Sequence, residues 1–184
     1  MIDNTTLFRD ELGAGERILW SSQPRQGLVL RPSDAFLIPF SLLWGGFAIF
    51  WESMAIVGSG SLFFMLWGIP FVLVGLYFIV GRFFVDAKVR EKTYYALTNE
   101  RAIILSGLFG RNLRAFSLKT LSDININVKK DGSGTITFGP SHPMASWYSG
   151  MQWPGAGKYT APGFEMIENA RQVYELIRKA QREI

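Results

Sequence analysis

Two stretches of this chain carry no charged side chain, Ala35 to Trp51 and Ser53 to Gly81, and a single carboxylate, Glu52, divides them. A hydrocarbon layer about 30 Å thick is crossed by roughly 20 apolar helical residues. Ser61 to Gly81 supplies that length, and the first run reaches it when extended to Pro32 and Ile56, with Trp44 and Trp51 along it. Val57-Gly58-Ser59-Gly60-Ser61 is a Gly/Ser turn suited to closing a helical hairpin. A buried helix pair in a soluble core is the competing account, but a chain of 184 residues has little interior in which to hide two such runs.

Beyond the second run the periodicity changes. Short clusters of β-branched and aromatic residues at Thr93 to Leu97, Ala102 to Leu105, Leu113 to Leu118, Ile124 to Val128 and Thr135 to Phe138 predict strands. Ile124-Asn125-Ile126-Asn127-Val128 alternates cleanly, which predicts one buried face. Tight connections at Thr98–Arg101, Gly107–Arg111 and Lys129–Gly134 favour antiparallel neighbours. Phe164 to Ile184 takes helical spacing, with Ile167, Ala170, Val173, Tyr174, Ile177 and Ala180 on one stripe. Leu28-Val29-Leu30 reads as a short strand or as the approach to the first apolar helix.

Charge adds an orientation. Arg17, Arg25 and Arg31 precede the first apolar run, Arg82, Lys88, Arg90 and Lys92 follow the second, and the turn between them has none. By the positive-inside rule both termini are cytoplasmic. Residues 1–34 mix acids and bases and lack a compact apolar core, so no cleavable signal is expected and the hairpin itself is the targeting element. The chain has no cysteine, which excludes a disulfide framework and a thiolate metal site. From Arg82 onward 15 Lys and Arg face nine Asp and Glu, a balance drawn to anionic head groups. Nucleic acid is not the expected partner, because there is no dense basic run, finger spacing or RNA-binding aromatic signature.

The segments Tyr94-Tyr95-Ala96-Leu97-Thr98-Asn99-Glu100-Arg101-Ala102-Ile103-Ile104, Ser106 to Gly110 and Leu118 to Ile126 together resemble the bacterial PH-domain family of membrane proteins, as does Glu16-Arg17-Ile18-Leu19-Trp20 ahead of Pro24. The resemblance covers roughly residues 14 to 138, and the C-terminal helix is consistent with it. It implies a PH-like fold, two nearly orthogonal antiparallel sheets with a helix capping one open end. It does not imply inositol-lipid binding, since the turn Thr98–Arg101 is tight and carries one acid and one base.

The resulting expectation is a membrane α plus mainly β protein: a cytoplasmic segment 1–34, a transmembrane hairpin 35–84, and a PH-like domain 85–184 ending in a helix over 164–183. Catalytic chemistry is not expected. His142 has no second ligand at metal spacing, no glycine loop is followed by Lys-Ser/Thr, and no nucleophile elbow is present, so neither metal nor cofactor is called for. Glu165 and Glu168 stand next to Arg171 and read as a solvated ion-pair network. Glu52 reads either as an intramembrane relay group or as an interfacial acid beside the Gly/Ser turn.

Residues 139–163 hold Trp147, Tyr148, Trp153 and Tyr159 with four prolines, which reads either as an aromatic lobe for a partner or the interface, or as a further hairpin filling the sheets. The basic positions Arg111, Arg114, Lys119, Lys129 and Lys130 are candidates for anionic lipid or a partner, and Gly45, Gly46, Gly68 and Gly75 for close helix packing. The function expected is a non-catalytic binding or scaffolding module on a bacterial inner membrane, in contact with lipids and a membrane-associated protein, with a homo-oligomer admitted. The alternatives are an accessory subunit or assembly factor of a larger membrane complex and a sensor of anionic lipid.

Overall fold

The structure, a computed structural model, describes residues 4–58, 61–108, 110–139 and 161–184. These divide into two units: residues 4–27, 87–139 and 161–184 form one, and Leu28–Asp86 the other.

Among its described residues the first unit holds seven strands in two antiparallel sheets. β1 (Ile18–Ser22), β2 (Tyr94–Thr98), β3 (Arg101–Ser106) and β4 (Asn112–Ser117) make one sheet in that order, and β5 (Ile124–Val128), β6 (Gly134–Phe138) and β7 (Gly163–Ile167) make the other. The central strands β2 and β3 are apolar on both faces because both faces are covered. On one side Tyr95, Leu97, Ala102 and Ile104 pack into the main core with Ile136, Phe138 and Phe164. On the other, Phe8 from the N-terminal 3-10 helix Asn4–Glu11 seals Ala96, Ile103 and Leu105. The C-terminal helix closes the main core with Ala170, Val173, Ile177 and Ala180.

Two elements differ from the sequence reading. β1 lies upstream of the apolar helices, in the segment set apart as 1–34, yet it pairs with β2 through Trp20↔Leu97, Ser21↔Ala96 and Ser22↔Tyr95. The apolar hairpin is therefore inserted in the chain between two neighbouring strands of one sheet. The second difference is at the other end. Phe164 opens no helix: Gly163–Ile167 pairs with β6, where a Cβ on Gly163 would stand 2.2 Å from the Ile136 carbonyl oxygen. The helix begins at Ala170, after Asn169 in the left-handed region. Ile167 shares a three-residue spacing with Ala170 although it reaches the core from a strand, which is why helical periodicity alone absorbed it. Leu28-Val29-Leu30 forms neither helix nor strand.

The second unit is a helical hairpin. We name its helices α1 (Asp34–Val57) and α2 (Leu62–Leu76); α2 runs on through a π-helical turn (Tyr77–Gly81) into α3 (Arg82–Glu91), and the C-terminal helix Ala170–Glu183 is α4. By length and composition α1 and the continuous helix Leu62–Glu91 could each cross a membrane, with mean hydropathies of 1.5 and 2.3. Their apolar side chains point outward: Leu43 is 75% and Leu62 70% exposed.

Candidate functional site

Buried polar side chains gather at three places, and in each the local sequence explains the position. In the β unit, the Glu16 carboxylate accepts the Arg101 Nε–H at 2.9 Å, the Arg101 Nη2–H at 2.8 Å, the Gly13 N–H at 2.8 Å and the Thr98 hydroxyl at 2.7 Å. Thr98 in turn accepts the backbone N–H groups of Glu100 and Arg101, which holds the β2–β3 turn tight. The paired Arg101 guanidinium, followed by the Gly13 and Thr98 hydrogen bonds, pulls the Glu16 carboxyl down from 4.5 to about 2. The same bond raises the Arg101 guanidinium. Glu16, Thr98 and Arg101 all lie in the segments that carry the family resemblance. In this structure they form one clamp joining the segment that leads into β1 to the β2–β3 turn.

A second tie lies within the same unit, where the chain leaves β1 and returns toward β2. The Arg90 guanidinium donates to the carbonyl oxygens of Arg25 and Gly27, the latter at 2.6 Å. Gln26 Nε2 reaches the Arg90 carbonyl and Gln23 Nε2 that of Glu91, each at 3.2 Å.

The third place is the base of the hairpin. Arg82 Nη1 donates to Asp34 Oδ1 at 2.6 Å and Arg31 Nη2 to Asp86 Oδ1 at 3.1 Å, with all four side chains largely buried. Asp34 Oδ2 also accepts the Arg31 N–H at 2.6 Å. Arg82 stacks its guanidinium 4.4 Å from the Phe83 ring centre and donates Nε–H to the Phe78 carbonyl within the π-helical turn. Sequence reasoning counted Arg31 and Arg82 as flanking charges and passed over Asp34 and Asp86. The usable signal was the order Arg31…Asp34 before one apolar helix and Arg82…Asp86 after the other, which lets each base meet the opposite acid when the helices return on themselves.

Above this base the seam is made of small and polar residues. Leu37, Ser41, Gly45 and Ala48 are the buried positions on α1, facing Gly68 and Gly75 of α2. A Cβ on Gly75 would stand 2.9 Å from the Gly45 Cα. Glu52 continues the same stripe, and its Oε2 occupies the space beside Gly68, where a Cβ would lie 1.7 Å away. That oxygen is buried and accepts no hydrogen bond. Gly46 stands apart, with nothing within 4 Å of its Cβ position, because one helical residue rotates it about 100° off the seam.

The basic candidates do not form one patch. Arg111 donates to the Leu7 carbonyl at 2.7 Å and pairs with Glu11 at 3.5 Å, Arg114 lies over the Phe116 ring, and Lys119 lines a shallow cleft of about 450 Å³ with Arg17, Glu100 and Glu183. These three flank or lie on β4, whereas Lys129 and Lys130 stand at the β5–β6 turn of the other sheet. In that turn, hydrogen bonds from Ser133 hold the Asp131 carboxyl below its ordinary range, aided by Arg25 at 3.5 Å. Trp147, Tyr148, Trp153 and Tyr159 lie outside the described residues, as does His142. Among the described residues no group of three or more His, Asp or Glu is placed to hold a metal ion. Among the described residues the arrangement presents an outward apolar hairpin, edge strands of two sheets and separated charges.

No family model, no curated protein and no solved structure matches this chain.

Proposed function

We propose that this chain is a membrane-anchored, PH-like binding or scaffolding module that acts without catalysis at the cytoplasmic face of a bacterial inner membrane. The outward apolar surface of two span-length helices carries the reading, since such a surface is stable in lipid and a liability in water. The two antiparallel sheets and the C-terminal helix packed on their core support the PH-like part, since the resemblance implies two antiparallel sheets and a capping helix. Anchoring holds the β unit at the bilayer, so a partner is met at high effective concentration.

The lack of cysteine makes the topology directly testable. Single variants Ser61→Cys and Glu183→Cys are treated with a membrane-impermeant maleimide in intact spheroplasts and after permeabilisation. Labelling of the first in intact cells and of the second only after permeabilisation is the expected outcome. Release of the protein from membranes by alkaline carbonate would overturn the anchoring.

One observation favours a second reading, an accessory subunit of a larger membrane complex. The Glu52 oxygen in the hairpin seam lacks a donor, and a polar group of that kind is satisfied in lipid by a neighbouring helix. Co-purification of a stoichiometric membrane protein in mild detergent, lost on Glu52→Leu, would establish it.

A further inference from the structure

β5 stands at the edge of the three-stranded sheet. Two hydrogen bonds fix which of its backbone groups are spent inside that sheet: Lys129 N–H to Ser133 O and Gly139 N–H to Asp123 O, both 2.7 Å. In the antiparallel register Asn125↔Thr137 and Asn127↔Thr135, the odd-numbered residues from Asp123 to Lys129 therefore face β6. The N–H and C=O groups of Ile124, Ile126 and Val128 point away from it, and among the described residues no strand takes them up, which leaves an open ladder.

The side chains along this edge are self-complementary. Placed antiparallel to a second copy about a two-fold axis through Ile126, the strand sets Ile126 against Ile126, Ile124 against Val128 and Asn125 against Asn127. The exposed Asp123 falls opposite the exposed Lys129 at both ends. Among the described residues neither of these charges has an ion-pair partner within its own chain, so both are available. Opposite charges and paired amides directly across an antiparallel ladder stabilise it. The β4 edge lacks this property: the same operation about Ala115 sets Arg111 against Lys119, like against like.

We propose that β5 is a self-association edge, pairing with β5 of a second copy of this chain to make a continuous six-stranded sheet across a two-fold axis. The interface is isologous, so every contact occurs twice.

The test uses the full-length protein in dodecyl maltoside. Asn125 and Asn127 are adjacent positions on one face of a single strand, too far apart to bridge, whereas across the two-fold pairing their Cα atoms approach to about 4.5 Å. The Asn125→Cys/Asn127→Cys double variant, in a chain with no other cysteine, is expected to give a disulfide-linked dimer on mild oxidation. In the protein without the cysteines, Asp123→Lys or Lys129→Asp alone creates two like-charge pairs and should weaken the dimer about tenfold by light scattering. The combined charge swap should restore it. Both swapped positions are exposed, so the fold survives the change. A protein that stays monomeric without a crosslink overturns the proposal, as does a dimer indifferent to the charge swaps. An edge that crosslinks only to a different polypeptide overturns it in favour of a foreign strand.

Discussion

The β unit and the hairpin bury opposite chemistries. In the β unit the interior is Leu97, Ile103, Ile136, Phe164 and Ile177, with the Glu16–Thr98–Arg101 clamp at one edge. In the hairpin the buried positions are Asp34, Leu37, Ser41, Gly45, Ala48, Gly68, Gly75, Arg82 and Asp86, while most of the Phe, Leu and Trp side chains face outward. Under the proposed anchoring, the same chain obeys two solvents. Where water surrounds a unit, apolar area drives the interior. Where lipid is the surroundings, apolar side chains gain nothing by burial, and close backbone approach with satisfied polar groups holds the helices together.

The largest effect expected from breaking this contrast is at the hairpin base. Arg82→Leu leaves Asp34 buried without its partner, and removing one member of such a pair costs about 3–5 kcal/mol. The double variant Asp34→Leu/Arg82→Leu should recover most of the loss. Equilibrium unfolding in mixed micelles measures both, and a single variant as stable as the double would deny the pair its role.

Next comes a matched pair of truncations. Ile136→Ala in the β unit empties a fully buried site and should cost about 2–5 kcal/mol. Leu43→Ala in the hairpin removes a side chain that is largely exposed and should change stability by less than about 0.5 kcal/mol. Equal losses at the two positions would mean that α1 is packed against protein.

The clamp provides a pH test. With the Glu16 carboxyl lowered from 4.5 to about 2, its contribution is complete above about pH 4.5 and fades as pH falls toward 2. A shift of that size corresponds to roughly 3 kcal/mol. Glu16→Gln should flatten the acid limb of the stability profile, and an unchanged limb would place the acid sensitivity elsewhere.

How much of this was legible beforehand follows from the same contrast. β2 to β6 announced themselves because alternation and tight turns are local signals, and each falls within a residue or two of its expected place. β1 did not, because Ile18-Leu19-Trp20-Ser21-Ser22 is a strand only by virtue of pairing with residues more than seventy positions away. β7 was hidden in the periodicity of the helix that follows it. The glycines of the seam could be read from composition, but not that Gly46 would face away. The base pairs Arg31–Asp86 and Arg82–Asp34 were invisible while the flanking bases were counted one sign at a time.

The smallest effect expected is also the sharpest comparison within the hairpin, because it uses one residue type at the crossing and away from it. Gly45 and Gly75 meet where the helices cross, and a side chain on Gly75 would drive into the Gly45 backbone, which has no rotamer with which to yield. Gly75→Leu should therefore force the helices apart at a cost of about 1–3 kcal/mol. Gly46→Leu, one residue along α1 from the crossing, meets open space and gains helix propensity. Stability should hold or rise slightly at Gly46 and fall at Gly75, as read by thermal unfolding in detergent. If both substitutions destabilise alike, the outward face of α1 is itself a packing surface, and the hairpin is then one part of a larger helical assembly.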